Sequence, residues 1–578
     1  MYTLGINAAF HDCSAALVRD GVVLAAAEEE RFTRIKHGKR PVPFTTWQLP
    51  YHAIDYCLME AGIALRDVDR IVYALNPDLL EVPGGRDGVI TLPLEPSGAR
   101  RQAHEGSPWD PLFLSYVVNA PRQLLDGVPH HLRARWRGLD LAHILERWQY
   151  LDHHLAHEAS AFLACPYEES AVLTMDGRGE AATTSYGHFS GGRYERVKQI
   201  CLPHSLGLLY EEVTDYLGFL RSSDEYKVMA LASFGEPVHR TAFREIVQLD
   251  EEGGYTLQPA RLVERFGPAR QRGAPFERRH HEVARSLQYV LEETALHMAQ
   301  WLHRRTGADQ LCMAGGVALN CVMNARLAKD GPFRDVWVQP AAGDAGTALG
   351  AALYADYTAR NAGRAWQMDH AYLGPSYGDD AIEAFLKMSR VPYRRLDDVA
   401  QAAAELLAQD KILGWFQGRM EFGPRALGAR SILASPIDAG MQARLNALKD
   451  REDFRPVAPA VMEERAPQWF DAGSKPGIRA PFMLFVFDVL PERAARIPAV
   501  RHTDGTARVQ TVRRDQNARY YDTLAAFERL TGVPVLVNTS FNTRGEPVVC
   551  TPRDALECFW TSPLDALVIG SFLVEKPE

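Results

Sequence analysis

Residues 3–27 read TLGINAAFHDCSAALVRDGVVLAAA, and this stretch decides the fold class. Apolar runs at Leu4–Ala8, Ser14–Val18 and Val22–Ala27 have the length of buried strands. Asp20-Gly21 lies between the last two runs and is a strong signal for a tight hairpin turn. The chain is therefore predicted to begin with strands joined by short loops, and the first loop contains His11.

A related pattern returns further along the chain. The apolar run Ser170–Asp176 is followed by Gly177-Arg178-Gly179-Glu180, then by the strand Thr183–Phe189 and the turn Gly191-Gly192. Strands then alternate with glycine turns and helices, which indicates a mixed or parallel sheet. These strands and helices are predicted at Leu311–Ala314, Ala318–Leu327, Val336–Val338 and Thr347–Tyr357. The repetition indicates an internally duplicated α/β architecture.

The length of 578 residues is too great for one hydrophobic core. Residues 361–380 are rich in glycine, proline and polar side chains, and we interpret them as a domain boundary. Beyond them arginine becomes dense over residues 418–455, and apolar strands are predicted at Phe482–Phe487 and Val533–Val537. The sequence thus predicts a first domain over residues 1–370 and a second over 371–578.

Composition and charge exclude several classes of protein. The net charge of −9 argues against a nucleic-acid partner. No stretch approaches the roughly 20 apolar residues that cross a bilayer. None of the 8 cysteines forms a C-x-x-C pair, which argues against a zinc ribbon or redox motif. Without an N-terminal signal pattern, a cytoplasmic protein with reduced thiols is expected.

Three histidines lie within residues 153–157, which read HHLAH. On a helix, His153 and His157 project from one face and can share a metal ion. Asp344, in a glycine turn after a strand, is the best-placed carboxylate, and such a set suits iron(II) or another divalent ion. The alternatives are an exposed histidine cluster and, for Asp344, a helix N-cap. Residues 157–161 lack the second histidine of a zincin protease.

Glycine turns after apolar strands are candidates for phosphate binding. Gly177, Gly315-Gly316 and Gly343–Gly346 occupy such turns, where backbone N–H groups can approach a phosphate closely. No P-loop sequence is present. The glycines at 177 and 179 lead into a strand rather than a helix, so a dinucleotide-binding fingerprint is excluded.

In the second domain, basic side chains alternate with glycine, proline and apolar residues. Guanidinium groups at such turns suit bidentate phosphate recognition, and we predict a lined pocket for Arg425, Lys449 and Arg455. A solvated charged surface is the alternative. The apolar strand that ends at Val537 is followed by four polar side chains and an aromatic in Asn538–Asn542, a composition that would bind a ligand at a strand end.

Together these residues resemble the carbamoyltransferases that modify natural products and nodulation factors. The resemblance covers nearly the whole chain, and residues 83–101, which fall outside it, are interpreted as an insertion. The matching segments, in family order, are Gly5–Ala16, Glu28–Arg34, Lys36–Gly38, His153–His157, Asp176–Glu180, Gly315–Asn320, Gly343–Gly350, Glu421–Arg425, Arg451–Pro459 and Asn538–Asn542.

The resemblance implies a duplicated actin-like ATPase (ASKHA) domain over residues 1–370, similar to the universal tRNA threonylcarbamoyl transferase. It implies a YrdC-like α/β domain over 371–578. By this resemblance, the second domain makes carbamoyl adenylate from carbamoyl phosphate and ATP, with Mg²⁺ accompanying ATP. A hydroxyl of a secondary metabolite or sugar, as in antibiotic biosynthesis, then attacks the adenylate in the iron-bearing first domain, and AMP leaves.

The resemblance also implies roles for individual residues. His11 is the expected general base for the acceptor hydroxyl, and Lys36 and Asp224 are expected to bind the acceptor. The metal ligands are expected to be His153, His157 and Asp344. Carbamoyl adenylate is expected to contact Asp176, Gly177, Gly207, Glu225, Gly315, Gly316 and Asn320. ATP and carbamoyl phosphate are expected to contact Arg425, Lys449, Arg455, Arg508, Asn538, Ser540 and Arg544.

Three other functions remain open at this point. A sugar kinase or ATPase on the same actin-like fold would not need His153 and His157 or an arginine-rich second domain. A carbamoyl carrier of the hydrogenase-maturation type would bring C-x-x-C pairs. A nonenzymatic nucleotide-gated binding protein is the third alternative. The sequence names neither the acceptor, because acceptor pockets are built from variable loops, nor the oligomeric state, for which a homodimer is left open.

Overall fold

The computed structural model describes residues 1–38, 49–80, 114, 116–126, 136, 138–473, 477–543 and 545–576. The predicted insertion at 83–101 and Arg544 lie outside these residues. No helix in the described part is long and apolar enough to span a membrane. The α-helices are Glu30–Thr33, Tyr51–Ala61, Ala120–Asp126, Leu141–Arg147, His153–Phe162, Leu206–Tyr216, Glu225–Leu231, Arg240–Ile246, Leu262–Phe266, Arg278–Thr306, Cys321–Asp330, Ala345–Arg360, Asp379–Met388, Val399–Ala408, Met441–Leu448, Pro491–Ala494, Ala518–Thr531 and Pro552–Thr561.

The first sheet is built on the predicted hairpin. Its strands are β1 (Tyr2–Asn7), β2 (Ser14–Arg19), β3 (Val22–Glu28), β4 (Arg70–Tyr73) and β5 (Trp148–Tyr150). Their order is β3-β2-β1-β4-β5. The first three are antiparallel, and β4 and β5 run parallel to β1. Gly21 has φ 86 in the hairpin turn, a conformation that glycine adopts without steric cost.

The second sheet repeats this arrangement. The next strands are β6 (Ser170–Met175), β7 (Ala182–Ser190), β8 (Arg193–Cys201), β9 (Val247–Leu249), β10 (Tyr255–Leu257), β11 (Gln310–Ala314) and β12 (Asp335–Val338). The sheet has the order β12-β11-β6-β7-β8, and β9 and β10 form a separate ribbon. Again three antiparallel strands are followed by two parallel ones. The predicted duplication and the α/β fold class are confirmed, as expected of an actin-like domain.

Two helices, His153–Phe162 and Ala345–Arg360, pack closely between these sheets. A Cβ added to Gly350 would lie 1.8 Å from the carbonyl oxygen of Ala156, and one added to Gly5 would lie 1.9 Å from that of Ala348. Only glycine allows such close approach of backbones. This packing brings the first turn of one helix, with His153, next to the start of the other, which Asp344 precedes.

The third sheet belongs to the C-terminal part of the chain. The strands of this part are β13 (Arg394–Arg395), β14 (Leu413–Phe416), β15 (Arg430–Ala434), β16 (Ala458–Met462), β17 (Val486–Asp488), β18 (Thr506–Arg508), β19 (Gln510–Val512), β20 (Val535–Ser540), β21 (Ala566–Ile569) and β22 (Phe572–Glu575). Eight of them form the mixed sheet β13-β22-β21-β14-β15-β20-β16-β19, and β17 pairs with β18. This sheet has its own hydrophobic core within residues 382–574. Its likeness to YrdC, and the functional division at residue 370, stay predictions.

We call the elements from Tyr2 to Arg360 the N-terminal unit and those from Asp379 to Glu575 the C-terminal unit.

Two predicted elements differ from the structure in their bounds. The helix expected at Ala318–Leu327 begins at Cys321, because the Asn320 side chain accepts a hydrogen bond from Met323 N and caps it there. The strand expected at Phe482–Phe487 is confined to β17. Met483 has φ 56, which a strand does not permit, and its side chain is buried against the N-terminal unit.

Candidate functional site

The helix His153–Phe162 holds two imidazoles on one buried face. Asp152 is its N-cap and accepts a hydrogen bond from Leu155 N at 2.6 Å. His153 and His157 are fully buried, with ring centroids 4.8 Å apart. His153 Nδ1 lies 3.0 Å from the carbonyl oxygen of Ala74. A donated hydrogen bond there fixes the Nδ1–H tautomer and leaves Nε2 as a free lone pair.

Two carboxylates face these imidazoles and complete what we call the histidine–aspartate cluster, His153, His157, Asp176 and Asp344. His153 Nε2 lies 3.7 Å from an oxygen of each aspartate. His157 Nε2 lies 3.9 Å from Asp176 Oδ2 and 3.6 Å from Asp344 Oδ1. Ligand atoms about 2.1 Å from a common divalent ion are separated by roughly 3.0–3.6 Å. The observed separations of 3.6–3.9 Å lie at or slightly above this range, so the donor atoms would need to move together by a few tenths of an ångström to share one ion.

Several polar atoms of this cluster are buried without a hydrogen-bond partner. They are His153 Nε2, His157 Nδ1 and Nε2, and both carboxylate oxygens of Asp344. Buried polar atoms are ordinarily satisfied, and leaving them bare costs about 1–3 kcal/mol each. Asp344 precedes the helix Ala345–Arg360 but makes no side-chain cap, so the N-cap alternative does not account for it. A cation would satisfy His153 Nε2, His157 Nε2 and the Asp344 carboxylate, whereas His157 Nδ1 would not be a ligand of the same ion.

Asp176 was predicted to bind an adenylate, but the sequence did not indicate its place beside the imidazoles. Its Oδ1 accepts a hydrogen bond from Gly316 N at 2.8 Å, which turns Oδ2 toward the histidines. Burial and Asp344 would raise the pKa of Asp176, but His153 and His157 lower it to about 2. The available signal was the parallel sheet, because Asp176 directly follows β6 and Asp344 follows β12, and the carboxyl ends of parallel strands meet at one edge of a sheet.

His11 lies at the rim of the cluster, in the loop between β1 and β2. Its Nδ1 is 3.0 Å from Asp12 Oδ2 and 3.9 Å from Asp344 Oδ2. Its side chain remains 37% exposed, so a substrate can reach it. Burial would lower the pKa of His11, but Asp344 and Asp12 raise it to about 10. A cation bound to Asp344 and Asp176 would offset this effect by neutralising both carboxylates.

A chain of hydrogen bonds links His11 to the segment that contains Asp224. Asp12 Oδ1 lies 2.9 Å from His37 Nδ1, and His37 Nε2 lies 2.8 Å from Ser223 Oγ. Lys36 Nζ donates to the same hydroxyl at 3.5 Å. Hydrogen bonds thus connect Lys36, and the residue that precedes Asp224, to the loop of His11, and a role of Lys36 or Asp224 in binding the acceptor stays a prediction. Asp12, His37 and Ser223 were missed, since isolated polar residues in loops give no periodic signal.

The predicted adenylate-binding glycines meet around Asp176. A Cβ on Gly207 would lie 2.8 Å from the Cα of Gly177, and one on Gly315 would lie 2.1 Å from the carbonyl oxygen of Met175. Gly316 donates to Asp176 as described. The backbones therefore pack closely against one another around Asp176, and side chains at these positions would prevent that packing.

Glu225 and Asn320 lie on neighbouring elements. Burial and the nearby Glu211 raise the pKa of Glu225 to about 7. Asn320 Nδ2 donates to Gln288 Oε1 at 2.8 Å, in addition to capping the helix that starts at Cys321. Asn320 is thus held by contacts of its own, and its adenylate role stays a prediction.

The C-terminal unit gathers basic side chains into what we call the arginine cluster, Arg425, Lys449, Arg451, Arg455 and Arg508. Among the described residues, only Arg455 of these has a carboxylate within salt-bridge distance, Glu452 at 3.7 Å. Arg425 Nε, Arg451 Nη2 and Arg508 Nε are buried without a hydrogen-bond partner. Burial and the neighbouring Arg508 lower the pKa of Arg425 to about 9. Buried cations without counter-charges are suited to binding an anion such as phosphate, and that role of the cluster stays a prediction.

Lys449 is held at the end of β20. Its ammonium donates to Ser540 Oγ at 2.9 Å and to Asn542 Oδ1 at 2.7 Å. Asn538 points elsewhere, donating to Gln510 Oε1 at 2.8 Å and to the carbonyl oxygen of Ala426 at 3.2 Å. Asn538 thereby holds the backbone of the residue that follows Arg425. A direct contact of Asn538 with ATP stays a prediction.

Other arginines prominent in the sequence do not join the cluster. Arg430 is buried in β15, where it donates to the carbonyl oxygens of Gln417 and Pro375 and stacks 3.7 Å from the Phe416 ring centre. Arg514 pairs with Asp522 on the surface at 2.9 Å. Arg513 is likewise exposed and pairs with Asp515. Local sequence did not distinguish these roles.

Comparison with known proteins gives consistent family matches. A model described as "Carbamoyltransferase N-terminus" matches residues 2–83 and 133–353, and "Carbamoyltransferase C-terminus" matches 404–576. Nodulation protein NolNO of Sinorhizobium fredii is 40% identical, over 99% of this chain and 80% of its own. Nodulation protein NolO of Bradyrhizobium diazoefficiens is 41% identical, over 74% and 79%. The solved structure of HypF from T. kodakarensis aligns at 12% identity over 62% of this chain and 48% of its own, with TM-score 0.35.

Proposed function

The chain belongs to the carbamoyltransferase family and is a carbamoyltransferase, and from that premise we propose that it works through carbamoyl adenylate. ATP and carbamoyl phosphate react in the C-terminal unit, and the carbamoyl group is transferred in the N-terminal unit. The observation that carries this proposal is the pair of buried, oppositely charged clusters in one chain. The arginine cluster suits polyphosphate, and the histidine–aspartate cluster suits a cation.

Adenylate formation uses the arginine cluster. Carbamoyl phosphate and water give carbamate and phosphate; a carbamate oxygen then attacks the α-phosphorus of ATP, and the bond to pyrophosphate breaks. Arg425, Arg455 and Arg508 neutralise charge on the phosphates, and Lys449 is positioned beside them by Ser540. Mg²⁺ accompanies ATP as its usual counter-ion.

Transfer uses the N-terminal cleft. The acceptor oxygen forms a bond to the carbamoyl carbon while the bond from that carbon to the adenylate oxygen breaks and AMP leaves. His11, exposed at the rim, takes the proton of the acceptor hydroxyl. The backbones of Gly177, Gly207 and Gly315 hold the adenylate, and Lys36 and Asp224 orient the acceptor, a hydroxyl of a small metabolite or sugar.

The histidine–aspartate cluster is proposed to hold iron(II) or another divalent ion. Its mixed nitrogen and oxygen donors and its unpartnered lone pairs fit such an ion. When bound, the ion supplies positive charge for the adenylate phosphate and the departing AMP. The residues that hold it are His153, His157 and Asp344, with Asp176 as a fourth donor.

The test is formation of AMP and pyrophosphate from ATP that depends on carbamoyl phosphate. We expect the purified protein to release both, and to add a carbamoyl group to a hydroxylated acceptor found by its mass shift. ADP formation with phosphorylation of an acceptor would instead identify a kinase on the same fold. Carbamoylation of the acceptor without any consumption of ATP would show that the reaction does not proceed through carbamoyl adenylate.

A further inference from the structure

The helix Glu225–Leu231 lies between the two proposed sites. Its first residue, Glu225, belongs to the predicted adenylate cleft, and the next residue faces the other unit. The guanidinium carbon of Arg455 lies 4.8 Å from the ring centre of Tyr226. That distance is within the range of a cation–π contact, which strengthens as water is excluded.

A second contact fixes the same helix against the same loop. Lys227 Nζ lies 2.9 Å from Glu452 Oε1 and 3.2 Å from Asp224 Oδ2. Glu452 in turn lies 3.7 Å from Arg455. Tyr226 and Lys227 therefore hold one arginine of the C-terminal unit from two sides, the ring directly and the ammonium through a carboxylate.

Tyr226 also faces the rest of the arginine cluster. Burial and Arg455 lower the pKa of Arg451, and the nearby Tyr226 weakly opposes that shift. Tyr226 acts in the same direction on the pKa of Arg425, which burial lowers most. Tyr226 thus contacts Arg455 in the cluster where Arg425 Nε and Arg451 Nη2 have no hydrogen-bond partner.

A third element of the N-terminal unit lies beside the same cluster. Cys321 directly follows Asn320; burial lowers the pKa values of Arg425 and Arg508, and Cys321 opposes both shifts. Cys321 Sγ lies 3.8 Å from Met229 Sδ, which ties it to the helix of Tyr226. Each predicted adenylate contact, Glu225 or Asn320, is therefore followed directly in the sequence by a residue beside the arginine cluster, Tyr226 or Cys321.

We propose that the polyphosphate pocket is shared between the units, and that Tyr226 is a positioning residue that holds Arg455 in it. This proposal rests on the proposed function. The N-terminal unit is then required for tight binding in the adenylation step, although its own proposed chemistry is transfer. The common wall also places the two clefts next to each other, which limits exposure of the adenylate to water.

The test compares Tyr226→Leu with Tyr226→Phe in the full chain. Leucine keeps an apolar side chain but has no ring face for the guanidinium, whereas phenylalanine keeps the ring. In the carbamoyl-phosphate-dependent AMP assay without acceptor, we expect Tyr226→Leu to raise the KM for ATP or carbamoyl phosphate about two- to thirtyfold. Tyr226→Phe should stay within about twofold, as should the kcat of both variants.

A binding measurement separates this proposal from the proposed function. By calorimetry with inorganic pyrophosphate, Tyr226→Leu should bind more weakly by a similar factor, with an unchanged melting temperature. Equal KM and equal pyrophosphate affinity in wild type and Tyr226→Leu would overturn the shared pocket. Equal losses in the leucine and phenylalanine variants would overturn the ring contact. Absence of carbamoyl-phosphate-dependent AMP in the wild type would instead overturn the proposed function.

Discussion

The histidine–aspartate cluster and the arginine cluster both bury polar or charged groups, but the groups that they bury differ in kind. The first presents lone pairs from the end of a helix and the ends of two strands, all within the N-terminal unit. The second presents N–H groups from loops of the C-terminal unit, with one wall supplied by the N-terminal unit. Neither is satisfied by protein atoms alone. We propose that the first cluster holds a small cation and the second a larger anion.

We expect the largest effect from a double variant that removes both imidazoles of the histidine–aspartate cluster. His153→Ala with His157→Ala removes two of the four donors, and such a pair of carboxylates alone binds a divalent ion weakly. We expect one equivalent of metal in wild type purified without added metal, and close to none in the double variant, by elemental analysis. Transfer from supplied carbamoyl adenylate should fall at least about a thousandfold, as metal supplies several kcal/mol of charge stabilisation. Full metal content in the double variant would refute the site.

The next effect concerns His11, which lies beside the first cluster without belonging to it. General base assistance contributes about a hundred- to ten-thousandfold in rate. His11→Asn should therefore slow transfer by at least about a hundredfold while metal content and adenylate synthesis remain those of wild type. Single-turnover transfer with supplied adenylate is the measurement. A rate within a few-fold of wild type would leave His11 as a binding residue.

A smaller effect is expected in the second cluster. Arg425→Ala or Arg455→Ala removes one charge-assisted contact, which is worth about 1.5–3 kcal/mol, or roughly ten- to two-hundredfold. Adenylate formation should fall by that factor, whereas transfer from supplied adenylate stays measurable. Arg514→Ala, which removes a surface arginine paired with Asp522, is the matched control. Normal adenylate synthesis in both cluster variants would show that the domain assignment is wrong.

The smallest expected effect compares the scaffolds of the two units. Asp152 caps the helix of His153 and also pairs with Arg196 at 3.0 Å, whereas Asp398 caps the helix Val399–Ala408 alone. Removing a cap costs about 1 kcal/mol. Asp398→Ala should lower the free energy of unfolding by that amount and Asp152→Ala by up to about 2 kcal/mol. Urea unfolding of metal-free protein checks this. A larger loss for Asp398→Ala would contradict it.

Local patterns predicted the elements that depend on neighbours in sequence. The hairpin at Asp20-Gly21 and the strand Ser170–Met175 follow from residue spacing and turn chemistry, and the helix His153–Phe162 meets the condition under which His153 and His157 share a face. The helix at Cys321 was misplaced because a single capping side chain, Asn320, decided where it starts. The strand at Phe482 was wrong because burial against the other unit overrode the local preference of an apolar run.

The sequence by itself determined the fold class, the duplication, the pair of imidazoles at i and i+4, and the basic character of the loops around Arg425. The tertiary structure alone decided that Asp176 turns toward His153, that Asp12 bridges His11 and His37, and that Tyr226 covers Arg455. The physical reason is the range of the interactions. Strand alternation, helical spacing and turn conformations are set within a few residues, whereas the partners in a buried cluster are set by how whole sheets and helices pack.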